Sequence, residues 1–455
     1  MDLGSRVDTL MDGLTADLER LTAIPSVAFP GFPAEPVRQA HDLLVDLPHG
    51  AGVERLDLPH GAGVERLDLP DTAPVVVAEV PPPTPDAPTV LLYGHYDVQP
   101  PGDESLWLSP PFEPTPVAGG LRARGIADDK PNLIVHLGVL RAYEGRPPTG
   151  LRIVLEGQEE YGSAFDDYPP TDPDRFACDA MVIADMGNLR PGSPTLTTGL
   201  RGAAELVVEV RILDEPRHSG EFGGAAPDAL LALLKVLSTL HDVHGDVAVE
   251  GLRREEWSGT TYTQEELRTL AGVRDGMPLI GSGSLGERLW GGPAVTVIGI
   301  DAPSVDQAAS AVVPYARAKL NLRFHPQQDP DAALVTHLEA LRPFGIPLTV
   351  TPGDTGPGFE PATGGPAYRA ALTALREGWG TEPSYVASGG SIPLVNGLAK
   401  AVPGAEILLF GAQDSMCNLH APNERVLFSE LRSAVIAEAA FLREFAAAHR
   451  DGSAA

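Results

Sequence analysis

Cysteine is nearly missing from this sequence: Cys178 and Cys417 are the only two in 455 residues. So small a number excludes a disulfide framework and a thiolate zinc site. Basic residues are scarce too, with Lys and Arg numbering 33 against 62 Asp and Glu, a formal charge of −29. A field of that sign repels nucleic acid and anionic membranes, and no basic stripe offsets it, which argues against a two-metal nuclease. No apolar run approaches the roughly 20 residues that a membrane span needs. The stretch from Met1 to Arg20 has no apolar segment after a basic one and so does not read as a secretory signal. A soluble, cytoplasmic protein is the expectation.

What is present reads as a globular α/β protein. Hydrophobic residues make up 43%, and the 49 Gly and 45 Pro are scattered as turns between apolar runs. The length suits two or three domains. Val7, Leu10, Met11, Leu14, Leu18 and Leu21 recur at helical spacing, and a second helix is predicted over 36–47. Then comes an exact tandem repeat, DLPHGAGVERL at 46–56 and again at 57–67. Two copies are too few for a solenoid. The extra copy reads as a duplication in a surface loop, with His49 and His60 solvated and a strand over 64–69 closing it.

Strands are predicted over 75–80, 89–93, 152–156 and 180–184, with a helix over 132–143. That alternation points to a mostly parallel sheet covered on both faces. His136, inside the helix among apolar neighbours, reads as a packed or half-exposed histidine rather than a ligand. From about Leu200 the pattern becomes strand, helix, strand, strand, helix, strand over 203–213, 226–241, 294–300, 316–324, 330–341 and 348–352. This is a separate α+β module of ferredoxin-like type. His241 and His244, three apart in it, read as solvated. A helix over 367–377 and later strands return to the first pattern. The division is therefore 1–199 and 361–455 for the larger domain, with 200–360 inserted.

Five motifs carry chemistry, and each falls at a strand end or beside one, where sites in parallel sheets form. Gly94-His95-Tyr96-Asp97 follows an apolar strand, so His95 and Asp97, two apart, point to one side. Such a histidine can hold a metal while the acid orients it. Gly125-Ile126-Ala127-Asp128-Asp129-Lys130 offers a carboxylate able to bridge two cations, or simply a helix start. Glu156-Gly157-Gln158-Glu159-Glu160 places two glutamates side by side, able to divide the work of metal ligand and general base, or simply a charged turn. Asp185 ends another apolar run, and His420-Ala421-Pro422-Asn423-Glu424 follows a strand over 406–410. Imidazole and carboxylate ligands suit zinc, or cobalt or manganese in its place.

Taken in order, these residues resemble the di-zinc peptidase family of carnosinases, cytosolic nonspecific dipeptidase, carboxypeptidase G and aminoacylase. GHYDVQP (94–100), EGQEE (156–160), RHSGEFGG (217–224), GGSIP (389–393) and HAPNE (420–424) carry the likeness, which extends from about Leu14 to Arg443 and is nearest the dipeptidase branch. The resemblance implies a catalytic domain with an inserted lid and dimerisation domain, and hydrolysis of dipeptides or short peptides by water activated between two zinc ions. It implies one zinc on His95, Asp128 and Asp185, and a second on Asp128, Glu160 and His420. Glu159 is then the general base, Asp97 supports His95, and the Asp128–Asp129 bond is cis. His218 reaches the partner subunit's active site in a homodimer and polarises the scissile carbonyl. Arg323 takes the substrate's terminal carboxylate, aided by Gly390 and Ser391.

The pattern departs from its relatives in three places. Pro131 replaces the usual glycine, Ala311 stands where Thr or Asn is common, and Ala387-Ser388 precede GGSIP where carnosinases carry Arg-Glu. Two competing functions remain in view. One is an N-acyl- or N-carbamoyl-amino-acid amidohydrolase of the same family. The other is a catalytically silent binding protein, which predicts loss of a ligand or of the base, whereas all six are present.

Overall fold

A computed structural model describes residues 2–47, 64–328, 330–341, 345–390 and 392–453. The chain forms two compact units: residues 1–198, 361–386 and 393–455 make the first, and residues 199–360 with 387–392 make the second. The segment 387–392 thus groups with the inserted module rather than with the chain on either side of it.

The first unit is built on an eight-stranded sheet. Its centre is parallel: Gly150–Glu156, Thr89–His95, Ala180–Ile183 and Glu406–Leu409 lie side by side in that order. Val90, Leu91, Leu92 and Tyr93 are all fully buried, as expected of a strand covered on both faces. The flanks are antiparallel. Val75–Val80 pairs with Gly150–Glu156 on one side, and Thr195–Leu200 with Glu406–Leu409 on the other. The strand expected at 64–69 is the short edge strand Glu65–Leu67. His49, His60 and most of the duplicated segment lie outside the described residues.

The opening helix, Leu3–Thr22, starts where the Asp2 side chain accepts a bond from the Ser5 amide, and its stripe Val7, Leu14, Leu18 and Leu21 is buried. It shares one core with Lys130–Ala142, Pro366–Trp379 and Phe428–Ser453. Pro366–Trp379 stops at Gly380, whose φ of 73° is the left-handed turn that glycine favours. Of the two expectations for His136, packed and half-exposed, the first holds: it is buried, with its Nδ1 2.8 Å from Glu438 Oε1 of the last helix. Among the described residues no helix is long and apolar enough to cross a membrane.

The second unit is an antiparallel sheet in the order Ala294–Asp301, Tyr315–Phe324, Gly202–Arg211, Thr349–Gly356. Gly202–Arg211 alternates between buried and half-buried residues as far as Val210 and ends on the exposed Arg211. Its buried side, Ala204, Leu206, Val208 and Val210, meets Ala232, Leu233 and Val236 of the helix Ala229–Leu237 and Leu334 and Leu338 of Pro330–Ala340. Two helices on one face of four strands is the ferredoxin-like arrangement.

Candidate metal centre

Parallel pairing brings the carboxyl ends of the central strands together, and the chemistry gathers there. Two groups of ligand-type atoms form, His95 with Glu159 and Asp185, and Asp128 with Glu160 and His420. Within each group the atoms lie within 4.8 Å of one another. Asp128 links the two: its Oδ1 is 3.2 Å from His95 Nε2 and its Oδ2 is 3.0 Å from His420 Nε2. His420 Nε2 is also 3.2 Å from Glu160 Oε2. One carboxylate facing two imidazoles in this way is the geometry of a bridging ligand. Glu159 Oε2 stands 4.0 Å from His95 Nε2, close enough to complete the first group although the resemblance leaves it free.

The side chains around these groups fix their aim. Asp97 is fully buried, and its Oδ1 lies 3.3 Å from His95 Nδ1. The same carboxylate accepts the amides of Glu159 (2.9 Å) and Glu160 (3.1 Å), so it holds the glutamate turn as well as the histidine. The Asp128–Asp129 bond is cis, as the resemblance implies. Asp129 turns away from the ligand groups, and its Oδ2 accepts the His95 amide at 3.1 Å. Gly94 allows that approach, since a Cβ there would lie 2.7 Å from the same oxygen. Pro131 sits in the first turn of Lys130–Ala142, where its missing N–H costs nothing. Lys130 is buried, its Nζ donating to the carbonyls of Leu21 (3.1 Å) and Ile24 (2.8 Å), and burial pushes its pKa down to about 7.

Four residues here were not singled out by the motifs. Glu424 is fully buried; its Oε1 accepts the amides of Ala127 (2.8 Å) and Asp128 (3.0 Å), and its Oε2 accepts Arg124 Nη1 (2.7 Å) and the Gly125 amide (3.0 Å). It clamps the loop that carries Asp128. Asn132 ties strand ends together, donating to Ala184 O (2.6 Å) and Asp129 Oδ1 and accepting from the Ala412 amide (2.8 Å). Gln99 donates to Glu160 Oε2 at 2.8 Å, and Gln413 to Asp185 Oδ1 at 3.2 Å. The available signal was Glu424's place inside HAPNE and Asn132's two positions after Lys130. Asn418, His420 and Asn423 have φ of 57°, 59° and 67°, a left-handed conformation that Asn and His accept more readily than most residues.

The electrostatics of the centre are lopsided. Burial, with neighbouring carboxylates adding to it, raises the carboxyls of Glu159 and Asp185 well above the usual range. Burial acts the same way on Asp128, but His420 and His95 override it and hold this carboxyl low. Burial alone lowers the His95 imidazole, yet Asp128 and Asp97 bring it out well above its ordinary value. Asp128 and Glu160 push His420 up to about 10. Four carboxylates and two histidines crowd one largely buried site, and divalent cations held there would let all four carboxylates ionise. The donors are oxygen and imidazole nitrogen with no thiolate, a set that fits zinc and also manganese or cobalt.

The other expected site residues belong to the second unit. His218 is exposed in the short strand Arg217–His218, opposite Ala311, and its Nδ1 accepts the Gly220 amide at 3.1 Å. Arg323 lies in Tyr315–Phe324 with Ala203 and Ala294 as its cross-strand neighbours. Gly390 is exposed, its amide donating to Ser388 Oγ at 3.1 Å, and Ser391 lies outside the described residues.

The chain is similar to known proteins over most of its length. Residues 91–444 match peptidase family M20/M25/M40. A cysteinylglycine-S-conjugate dipeptidase of Corynebacterium striatum is 38% identical over 371 residues, covering 79% of this chain and 82% of that protein. The human Beta-Ala-His dipeptidase is 28% identical over 375 residues, 75% of this chain and 72% of its own. In fold, the crystal structure of human carnosine dipeptidase 1 superposes with a TM-score of 0.80 at 24% identity, covering 98% of each chain. A di-peptidase structure from Saccharomyces cerevisiae gives 0.79 at 22%, again over 98% of each. The chain belongs to the peptidase family M20/M25/M40.

Proposed function

We propose that this protein is a cytoplasmic, metal-dependent dipeptidase that holds two zinc ions. The observation that carries the reading is Asp128 set between His95 and His420, with Glu159 beside them at the carboxyl ends of the parallel strands. His95, Asp128 and Asp185 would hold one ion, and Asp128, Glu160 and His420 the other. When bound, the ions acidify water and polarise the scissile carbonyl. Glu159 takes the proton from the attacking water and later delivers it to the leaving amine. Asp97 keeps both glutamates in place through their amides. Arg323, with Gly390 and Ser391, holds the substrate's terminal carboxylate, a planar group that a guanidinium matches in two parallel bonds. Similarity to the Corynebacterium striatum dipeptidase supports a short peptide as substrate.

The test is amino-acid release from a panel of dipeptides and N-acetyl and N-carbamoyl amino acids by metal-loaded protein. Dipeptide cleavage that a chelator abolishes and zinc restores is the expected result. Cleavage of the acylated amino acids alone would move the protein to the amidohydrolase reading.

The second unit is the proposed lid and dimerisation domain, with His218 serving the partner's site by stabilising the developing oxyanion. Ala294–Asp301 supports this, being a sheet edge with Val297, Ile298 and Ile300 at 39%, 49% and 47% exposure. Leu231 and Leu234 are exposed on Ala229–Leu237 of the same unit. Exposed edges and apolar patches of this kind are normally covered. Sedimentation is expected to show a dimer that Ile298→Asp converts to monomer; a monomeric wild type contradicts the assembly.

A further inference from the structure

Arg201 stands between the strands Thr195–Leu200 and Gly202–Arg211 and is 9% exposed. Its guanidinium is poorly served. Nη1 donates one long bond, 3.3 Å, to Gly292 O, and the buried Nε has no hydrogen-bond partner among the described residues. A buried guanidinium with unmet donors is costly to hold, because burial removes the water that would satisfy it. Burial, with the charge of Arg323 adding to it, pushes the Arg201 pKa down to about 10.

Strand register places the two arginines together. Gly202 pairs with Phe324 and Ala203 with Arg323, so one step further sets Arg201 beside His325, two positions from Arg323. Side chains alternate along strands, which puts both arginines on the face opposite Ala204, Leu322 and Phe324 of the core. Diagonal neighbours of this kind are within reach of long side chains. The acid that acts on Arg323 is Glu205, and Lys319 Nζ already holds that carboxylate at 2.5 Å. The Arg201 amide donates to Ser388 O at 3.1 Å, and its Nη2 is so near Gly389 that a Cβ there would lie 3.1 Å away. In a chain of net charge −29, the Arg201 guanidinium thus lies against Gly389 and close enough to Arg323 for the second positive charge to act on it.

We propose that Arg201 and Arg323 form a paired clamp for the free C-terminal carboxylate of the substrate, and that Arg201 makes the site demand a carboxylate in preference to an amide. This rests on the dipeptidase reading above. A carboxylate offers about four lone-pair directions on two oxygens, enough for two guanidinium forks. It also neutralises two cations that otherwise repel. A peptide amide does neither and leaves both arginines desolvated and unpaired, so discrimination is strong.

The experiment compares one dipeptide with its C-terminal amide on zinc-loaded wild type, Arg201→Met and Arg323→Met. Wild type is expected to prefer the acid. Arg201→Met is expected to lower kcat/KM for the acid by about 10- to 100-fold, mainly through KM, with the amide changing far less. Equal losses on acid and amide would make Arg201 a structural residue and overturn the proposal, as would an unchanged acid preference. Should Arg201→Met fail to fold, Arg201→Lys keeps the charge without the fork and is expected to lose part of the same preference; a full wild-type preference in it overturns the clamp. Wild type that cleaves neither peptide refutes the dipeptidase reading by itself. The clamp is then judged by calorimetric titration of both peptides: binding of the acid alone, lost in Arg201→Met, supports it, and equal or absent binding overturns it.

Discussion

Glu159→Gln is expected to lower kcat by about 10³-fold while leaving both metal ions bound, within the range for loss of a positioned general base. The substitution keeps size and shape, and the amides of residues 159 and 160 still meet Asp97. What disappears is the capacity to accept a proton from water. The structure sharpens the test, because Glu159 lies in one group with His95 and Asp185 and has the geometry of a possible ligand. Metal analysis of the variant separates the roles. Two ions retained with turnover lost identifies a base; one ion lost with turnover identifies a ligand and removes Glu159 from proton transfer.

The second large effect is expected at Glu424, which touches no substrate in this account. Glu424→Ala removes the partner of buried Arg124 and the acceptor for three amides, among them that of Asp128. Both side chains of the pair are almost wholly buried, at 2% and 0% exposure. Breaking one partner of such a pair costs about 3–5 kcal/mol, since the other charge is left without compensation. Thermal unfolding is expected at clearly lower temperature, and zinc affinity is expected to fall because the Asp128 loop loses its anchor. A variant with wild-type Tm and metal affinity contradicts the clamp. Glu424→Gln, which keeps an acceptor but not the charge, is expected to fall between.

Much of this was legible in the sequence, and the reason is geometric. The strands Thr89–His95, Gly150–Glu156 and Ala180–Ile183 are apolar because they lie inside the sheet with both faces covered, and because they run parallel the chemistry placed straight after them falls at one edge of the sheet. His95, Glu159, Glu160 and Asp185 could be picked out for that reason alone. The antiparallel flanks were not visible, because a strand buried on both sides reads as the same apolar run whichever way it points. Glu424 stands inside HAPNE, but Arg124 lies 300 residues away and carries no signal of its own; only the folded chain shows that one carboxylate gathers an arginine and the Asp128 loop. Asn132 looked like an ordinary first-turn residue, yet it joins the ends of separate strands. Arg201 carries no motif at all, and its significance lies in an unmet donor that appears only on burial.

The central claim, a two-metal centre that drives peptide hydrolysis, is tested most directly by titrating metal-stripped protein with zinc while following cleavage of a dipeptide. The account predicts no turnover without metal and a rise that levels off at two ions per chain, one for each ligand group. Turnover in the stripped protein, or full activity at a single ion per chain, would contradict it.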